Sequence, residues 1–485
     1  MKPISRREML KLSGSVAASA VLAACTQATV APTTAPTVAL TTAPAVDATT
    51  APTAAPTAAP TAGPTAGPTA VPPKKIGGTV VTMDVTNELT PDLIKAFMVK
   101  YPDIKVEFVD ATDLTRFYAM YAAGTPPDMV RVQAPSIPQW LAKKLLFDLT
   151  PYFETSTLLK IDDLMPANDV YKAESPLKIG SGKIYGMVKD FSPDNTIWAY
   201  VKAFTDAGLP APDDTKAMSF DDIMQTAKKV TKTEGDRTLM FGYGYETGWV
   251  DRFWMNALAE KNLSLYSEGY DKIVLSANDE AVKIVKWYFD MAQQKLMNSP
   301  IDPSPGAWFG TDFNNAQLAM AQYGFWFSAM AEADKNKGQV MLLPAPTWAG
   351  VRRDNTVTAT GQIVVGATKN PDATWQLFEW YHGDTPSIDR AKSGWGVPGL
   401  KSQVSMIPQT TDYQKQVYKV LQGELALNTP PLQFNPFLGE TQVSTSYAKY
   451  LEPALKGTLK FTELLTNIEN EVNQAIKDGI NSIMG

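Results

Sequence analysis

Eleven tryptophans are spread through this 485-residue chain, and four of them stand beside turn residues rather than inside periodic runs. Trp249 follows Gly248, Trp308 comes soon after Pro305–Gly306, Trp348 follows Pro346–Thr347, and Trp395 lies between Gly394 and Gly396. A large ring in a loop has to cover something, and loops on a rigid scaffold are where binding residues concentrate. The competing reading is satellite packing beneath the loop. Rings of this kind stack on flat C–H faces, and a solute with such faces and a rim of hydroxyls also needs carboxylate, amide or guanidinium partners. Asp84 and Asn87 stand at the end of the first strand-like run, where open α/β sheets bind ligands, although turn capping accounts for the same two residues. Gln133 follows a second such run, Asp190 closes the segment after Gly182–Gly186, and Asp251 and Arg252 follow Trp249. By contrast Trp287, Trp375 and Trp380 fall within helical periodicity and are assigned to the core.

Catalytic chemistry has little to work with. The chain holds one cysteine and one histidine, whereas zinc centres draw on several Cys and His ligands and a Ser or Cys nucleophile usually needs an imidazole base. His382, in Trp380–Tyr381–His382–Gly383–Asp384, reads as a structural or solvated residue at a helix end, where a cationic imidazole suits the dipole. Gly180–Ser181–Gly182–Lys183 lacks the rest of a phosphate loop, and Gly242–Tyr243–Gly244 does not continue as a dinucleotide fingerprint. With 44 basic and 50 acidic residues, nothing favours nucleic acid or an anionic lipid surface. No cofactor and no metal are expected.

The N-terminus reads as an address. Arg6–Arg7 precede an apolar, small-residue run from Leu12 to Ala24, too short for a permanent span and typical of a cleavable export signal over residues 1–24. The paired arginines resemble a twin-arginine signal, with Met9 where that pattern usually has Phe. Leu22–Ala23–Ala24–Cys25 resembles a bacterial lipobox, which makes Cys25 the lipidated first residue of the mature chain. Loss of Lys2, Arg6, Arg7, Lys11 and Glu8 moves the net charge from −6 to −9. From Cys25 to residue 75 the chain is almost wholly Ala, Pro, Thr, Val and Gly, which cannot bury a core and reads as a disordered stalk. At about 3.1 Å per residue it reaches roughly 150 Å from the membrane.

The globular body begins near Ile76 with a βαβ pattern. Thr79–Val85 is β-branched, Thr90–Pro91 supplies an N-cap followed by proline at the first helical position, and Lys105–Val109 alternates with period two. This spacing predicts a parallel pair. Further strands are expected at 339–343 and 362–366, and helices at 220–230 (with a Ser219/Asp222 capping box), 279–293, 371–381 and 461–483.

Taken in order, several segments resemble the extracellular solute-binding proteins of ABC importers, the family that includes maltose-binding protein. They are Lys100–Val106, similar to a "YPxIxV" opening; Ala123–Val130, similar to "AGxxPDvv"; Gly182–Val188, similar to "GKiYGlP"; Ala207–Pro210; and Phe313–Trp326, similar to "FxxGxxAMxxxGxW", followed by Leu343–Pro346. Ala316 and Val188 depart from the pattern at backbone turns, and Trp198–Ala199–Tyr200 takes the place of a "YYN" near the cleft. The resemblance implies an α/β, two-lobed periplasmic-binding-protein fold. Lobe one is expected at 76–188 plus 361–432 and lobe two at 189–360 plus 433–485, with a hinge between. It adds Trp198 and Trp326 to the candidate ligand residues. It implies a monomeric, non-enzymatic lipoprotein that closes on a small solute, a carbohydrate by the aromatic content, and passes it to the transmembrane permease. A peptide, polyamine or phosphodiester ligand, a secreted glycoside hydrolase working with two carboxylates, and a stalked adhesion protein are the alternatives.

Overall fold

The computed structural model describes residues 76–484 apart from positions 112, 113 and 307, so the export signal, Cys25 and the stalk lie outside the described residues. The described chain belongs to one unit, Pro73–Gly485, built on two sheets. The first contains β1 (Gly78–Asp84), β2 (Ile104–Asp110), β3 (Met129–Val132), β4 (Gly186–Val188) and β9 (Gly361–Val364), in the order β2-β1-β3-β9-β4. The second contains β5 (Ile197–Tyr200), β6 (Gly244–Tyr245), β7 (Met320–Gln322) and β8 (Val340–Leu343), in the order β6-β7-β5-β8.

The opening unit forms as its spacing predicts. β1 and β2 pair in parallel along their whole length, from Gly78 opposite Ile104 to Asp84 opposite Asp110. The helix between them, Pro91–Lys100, starts where the Thr90 side chain accepts a hydrogen bond from the Leu93 amide. Asp128 is structural: it accepts bonds from the Val81 amide and the Thr368 hydroxyl, tying β1 and β3 to the turn after β9. The Ser219/Asp222 capping box forms at the start of helix Phe220–Val230, and helices Asp279–Gln293, Pro371–Gly383 and Phe461–Met484 stand where the periodicity puts them.

Helix Pro371–Gly383 packs on β1 and β9. It carries Trp375 and Trp380 into the apolar layer around Val80 and Phe97. Trp287 is likewise buried, its indole N–H bonded to the Phe220 carbonyl. His382 is also buried, against Phe378 and Tyr381. Burial, aided by the nearby Arg390 charge, holds its imidazole well below the ordinary value, so it packs as a neutral ring and not as the helix-end cation considered above.

Around the second sheet, helices Val250–Ala259, Asp279–Gln293, Gln442–Leu455 and Phe461–Met484 pack on one another. Helix Asp412–Leu425 lies against β8, and the Gln416 side chain brackets Leu342 by accepting from its amide and donating to its carbonyl. That helix falls inside the 361–432 segment expected with the first sheet. Its apolar stripe, Val417, Val420 and Leu421, is buried on the side that carries the contacts to β8.

Candidate functional site

Between the two sheets the chain crosses through paired segments. β4 ends at Val188 and β5 starts at Ile197, while the return runs from β8 through residues 354–360 to β9. The two crossings are laced together. The Lys189 amide donates to the Thr360 carbonyl at 2.8 Å, the Asn195 amide to Asp354 Oδ1 at 2.8 Å, and the amides of Val357 and Thr358 to Asp194 Oδ2 at 2.7 and 3.1 Å. Between Thr358 and Thr360, Ala359 is held at φ 39°, in the left-handed region that costs a non-glycine residue about 1–2 kcal/mol. The Tyr171 hydroxyl donates to the carbonyls of Ala359 and Val132, fastening this turn to the end of β3.

Above the crossings lies a cavity of about 200 Å³. Gln133, Asp190, Trp249, Trp326 and Trp395 all line it, and so do Glu88, Arg131, Lys189, Phe191, Ser192, Thr358 and Thr360. The three indoles form a connected wall. Trp326 lies 6.4 Å from Trp249 at an interplanar angle of 70° and 6.4 Å from Trp395 at 51°. Trp395 is set by its flanking glycines: Gly394 at φ 76° ends helix Thr385–Ser393, and Gly396 at φ 77° passes so close to Asp190 that a Cβ would sit 3.1 Å from the Asp190 Cβ. The Trp326 indole nitrogen is buried without a hydrogen-bond partner.

The same cavity is lined by a network of charged groups. Arg131 grips Glu88 through both Nε and Nη2, at 2.8 and 2.9 Å. Lys189, 2% exposed, lies 3.1 Å from Glu88 and 2.7 Å from Asp190. Burial alone would raise the Glu88 carboxyl, but Lys189 and Arg131 override it and hold it at about 2. Burial also works against the charge on Arg131, and its pairing with Glu88 more than restores it. Two cations and two anions therefore line the cavity and neutralise one another, leaving a set of fixed donors and acceptors with no net charge to offer an ion.

The remaining candidates fall elsewhere. Asn87 borders an adjoining space lined also by Glu88, Lys189 and Trp395. Asp84 is fully buried beneath the site, accepting from Gln362 Nε2 and the Val85 amide; burial, reinforced by Glu88, raises its carboxyl to about 6. Arg252, 1% exposed, stays behind the wall, donating to Gln133 Oε1 at 3.3 Å and to the Val357 carbonyl at 3.2 Å with its guanidinium 5.7 Å from the Trp249 ring. It holds two lining residues in place and does not itself line the space. Asp251 is buried in the first turn of the same helix.

Three expected ligand rings lie outside this cavity. Trp198 is fully buried in β5, which runs between β7 and β8, its indole N–H on the Gly324 carbonyl. Trp348 lies edge-on to Phe220 and donates to Glu280. Trp308 covers Gly310 and stands against Phe327 and Tyr323, outside the cavity.

Sequence reasoning missed Glu88, Arg131, Lys189, Phe191, Ser192, Thr358 and Thr360. One signal was present: Arg131 is the only charged residue in the apolar run Met129–Val132.

The family model described as bacterial extracellular solute-binding protein matches residues 84–385. Among proteins of curated function none matches this chain in sequence. An ABC substrate-binding protein from Listeria monocytogenes solved with cycloalternan aligns at TM-score 0.67 and 19% identity, over 82% of this chain and 99% of that one. Maltose-bound MalE3 of T. maritima aligns at TM-score 0.64 and 18% identity, over 82% and 100%. A binding protein from B. animalis subsp. lactis with β-1,6-galactobiose aligns at TM-score 0.63 and 17% identity, over 83% and 98%. The fold is thus the two-lobed periplasmic-binding-protein fold.

Proposed function

This chain belongs to the bacterial extracellular solute-binding protein family, and from that premise we propose that it captures a neutral carbohydrate between its lobes and hands it to an ABC permease. The family is one of solute binders, and among the described residues no helix is long and apolar enough to cross a membrane. The observation that carries the proposal is the pairing of the Trp249–Trp326–Trp395 wall with a self-neutralised Glu88–Arg131–Lys189–Asp190 network. The rings match the C–H faces of a sugar, and the charged groups bond its hydroxyls strongly without demanding a charge in return. A polyamine or phosphodiester would meet an equal charge of its own sign.

In this reading lobe one is built on the first sheet and lobe two on the second, hinged at residues 189–195 and 354–360. Trp249 and Trp326 belong to lobe two, Gln133 and Arg131 to lobe one, so the ligand gains contacts from both only when the lobes close. That differential affinity shifts the population towards closure. Cys25 anchors the exported monomer to the outer face of the membrane, the stalk gives it reach, and the closed form is what the permease recognises. Neither cofactor nor catalysis enters this scheme.

A thermal-shift screen of the full chain against carbohydrates, peptides and polyamines tests it. A ligand at a hundred times its dissociation constant adds about 2.7 kcal/mol. Stabilisation by a carbohydrate with no product released supports the reading; stabilisation by another class alone, or turnover of the sugar, refutes it.

A further inference from the structure

The crossings between the sheets border two cavities. Thr358 and Thr360 line the tryptophan-walled one, whereas Asp354 and Thr356, on the same segment, line a smaller space of about 70 Å³ together with Phe191, Pro193, Glu424 and Thr429. In that smaller space two carboxyls are buried. Asp354 is 6% exposed, and Glu424, near the end of helix Asp412–Leu425, is 3% exposed.

Asp354 Oδ1 accepts from the Asn195 amide at 2.8 Å and from Asn195 Nδ2 at 3.2 Å, which joins one crossing to the other. Asp354 Oδ2 is buried and meets no N–H or O–H donor among the described residues. It faces the Glu424 carboxyl instead. Glu424 already has a cation, since its Oε2 accepts from Arg352 Nη1 and, at 3.4 Å, from the Ala345 amide. Two ionised carboxylates so placed repel each other, and burial strengthens the repulsion; one proton between them turns it into a hydrogen bond. Burial, reinforced by Glu424, pushes the Asp354 carboxyl well above the usual carboxylate range. The surrounding elements favour the proton as well. Asp194, on the facing crossing, is a third acid, bonded to Ser192 and to the amides of Val357 and Thr358. Glu260 adds negative charge near Arg352, Arg353 is turned to Asn262, and the lining residues from 165–167 and 428–429 are uncharged.

We infer that Asp354 and Glu424 share one proton, and that this proton sets the stiffness of the hinge. While it is present, Asp354 stays on Asn195 and fixes the two crossings to each other. Once it is lost, the carboxylates push apart and the crossings loosen. The strain spreads along the chain, because the Asp354 amide donates to the Thr429 hydroxyl at 3.3 Å and Asn355 Nδ2 donates to the Pro430 carbonyl. The folded chain holds this proton more tightly than the unfolded one, so its stabilisation is complete below about pH 4 and is lost as pH rises through the folded value. That the crossings act as a hinge rests on the reading above; the acid pair does not.

Asp354→Asn tests the inference, since the amide still accepts from Asn195 and donates to Glu424 but cannot titrate. Two measurements are made on the full chain without solute. Isotope-edited infrared spectra at neutral pH should show a protonated aspartic acid in the parent that is missing from the variant. Hydrogen exchange at the amides of Asn195, Val357 and Thr358, corrected for intrinsic rates, should show protection in the parent falling about tenfold or more between about pH 5 and about pH 9, and holding in the variant. Glu424→Gln is the second variant: its amide can donate to an ionised Asp354, so the alkaline loss of protection should vanish there too. Identical infrared spectra for parent and Asp354→Asn would overturn the inference, and so would protection that changes with pH in the same way in all three proteins. Failure of every carbohydrate to bind would overturn the functional reading and not the acid pair, which these two measurements judge alone.

Discussion

Asp194 reaches from one crossing segment to the other: its Oδ2 accepts a hydrogen bond from the amide of Val357 at 2.7 Å. The same oxygen accepts from the amide and hydroxyl of Thr358, both at 3.1 Å, and the other oxygen accepts from the Ser192 hydroxyl. One buried carboxylate thus sets the path of the turn that presents Thr358 and Thr360 to the cavity. Asp194→Ala leaves two buried amides without acceptors, each costing about 1–3 kcal/mol. Chemical denaturation of that variant should show a loss of roughly 2–6 kcal/mol with the transition still cooperative. An unchanged midpoint would mean that the crossings are held by their backbone bonds alone.

Glu88 is the shared counter-ion of Arg131 and Lys189. Replacing it with Gln leaves two largely buried cations with only Asp190 and the more distant Asp84 as counter-charges, and removing one partner of such a network typically costs about 3–5 kcal/mol. Glu88→Gln should therefore melt well below the parent and bind solute more weakly. Full stability in this variant would show that the network is solvated rather than part of the cleft floor.

Each cavity indole should matter separately. Trp249→Ala and Trp395→Ala should weaken solute binding by about 2 kcal/mol, or roughly thirtyfold, as expected for aromatic anchors at the centre of a site. Trp308→Phe and Trp348→Phe, which lie outside the cavity, should leave the dissociation constant within error. Calorimetry on the four variants checks both halves of the contrast.

Much of this was legible in the sequence, for identifiable reasons. β1, its helix and β2 follow from local spacing and an N-cap, with partners close along the chain. Trp395 was legible because glycines on both sides mark a ring held in a tight turn. Trp198 was not, because its burial depends on β7 and β8, more than a hundred residues away, closing over β5. Glu88 escaped for a similar reason: 43 residues separate it from Arg131, and alone it resembles an ordinary surface charge. Arg252 was assigned to the ligand because a buried guanidinium near Trp249 is chemically apt, and only the fold shows its hydrogen bonds already turned to Gln133 and Val357.

Asp84 and Asp251 make stability depend on pH in a stated direction. Burial lifts both carboxyls from 3.8 to about 6; Glu88 adds to it at Asp84, whereas Arg252 opposes it at Asp251. Because the folded pKa exceeds the unfolded one, the folded state holds these protons more tightly, and stability falls as pH rises from about 4 through about 6. Two units correspond to about 3 kcal/mol for each group. Glu88, lowered to about 2, acts oppositely: its stabilisation is present above about 4.5 and is lost as pH falls towards 2. Unfolding free energies of the parent and Asp251→Asn from pH 4 to 7 should converge at the acid end, with the variant declining less. Parallel curves would show that Asp251 titrates normally.

The central claim is that a carbohydrate seats against Trp249, Trp326 and Trp395, and tryptophan emission reads that contact directly. Titrating the full chain with the sugar that stabilises it most should give a saturable change in emission, and the change should vanish in the triple variant Trp249→Phe, Trp326→Phe, Trp395→Phe. A saturable response of the same size in the triple variant would contradict the account.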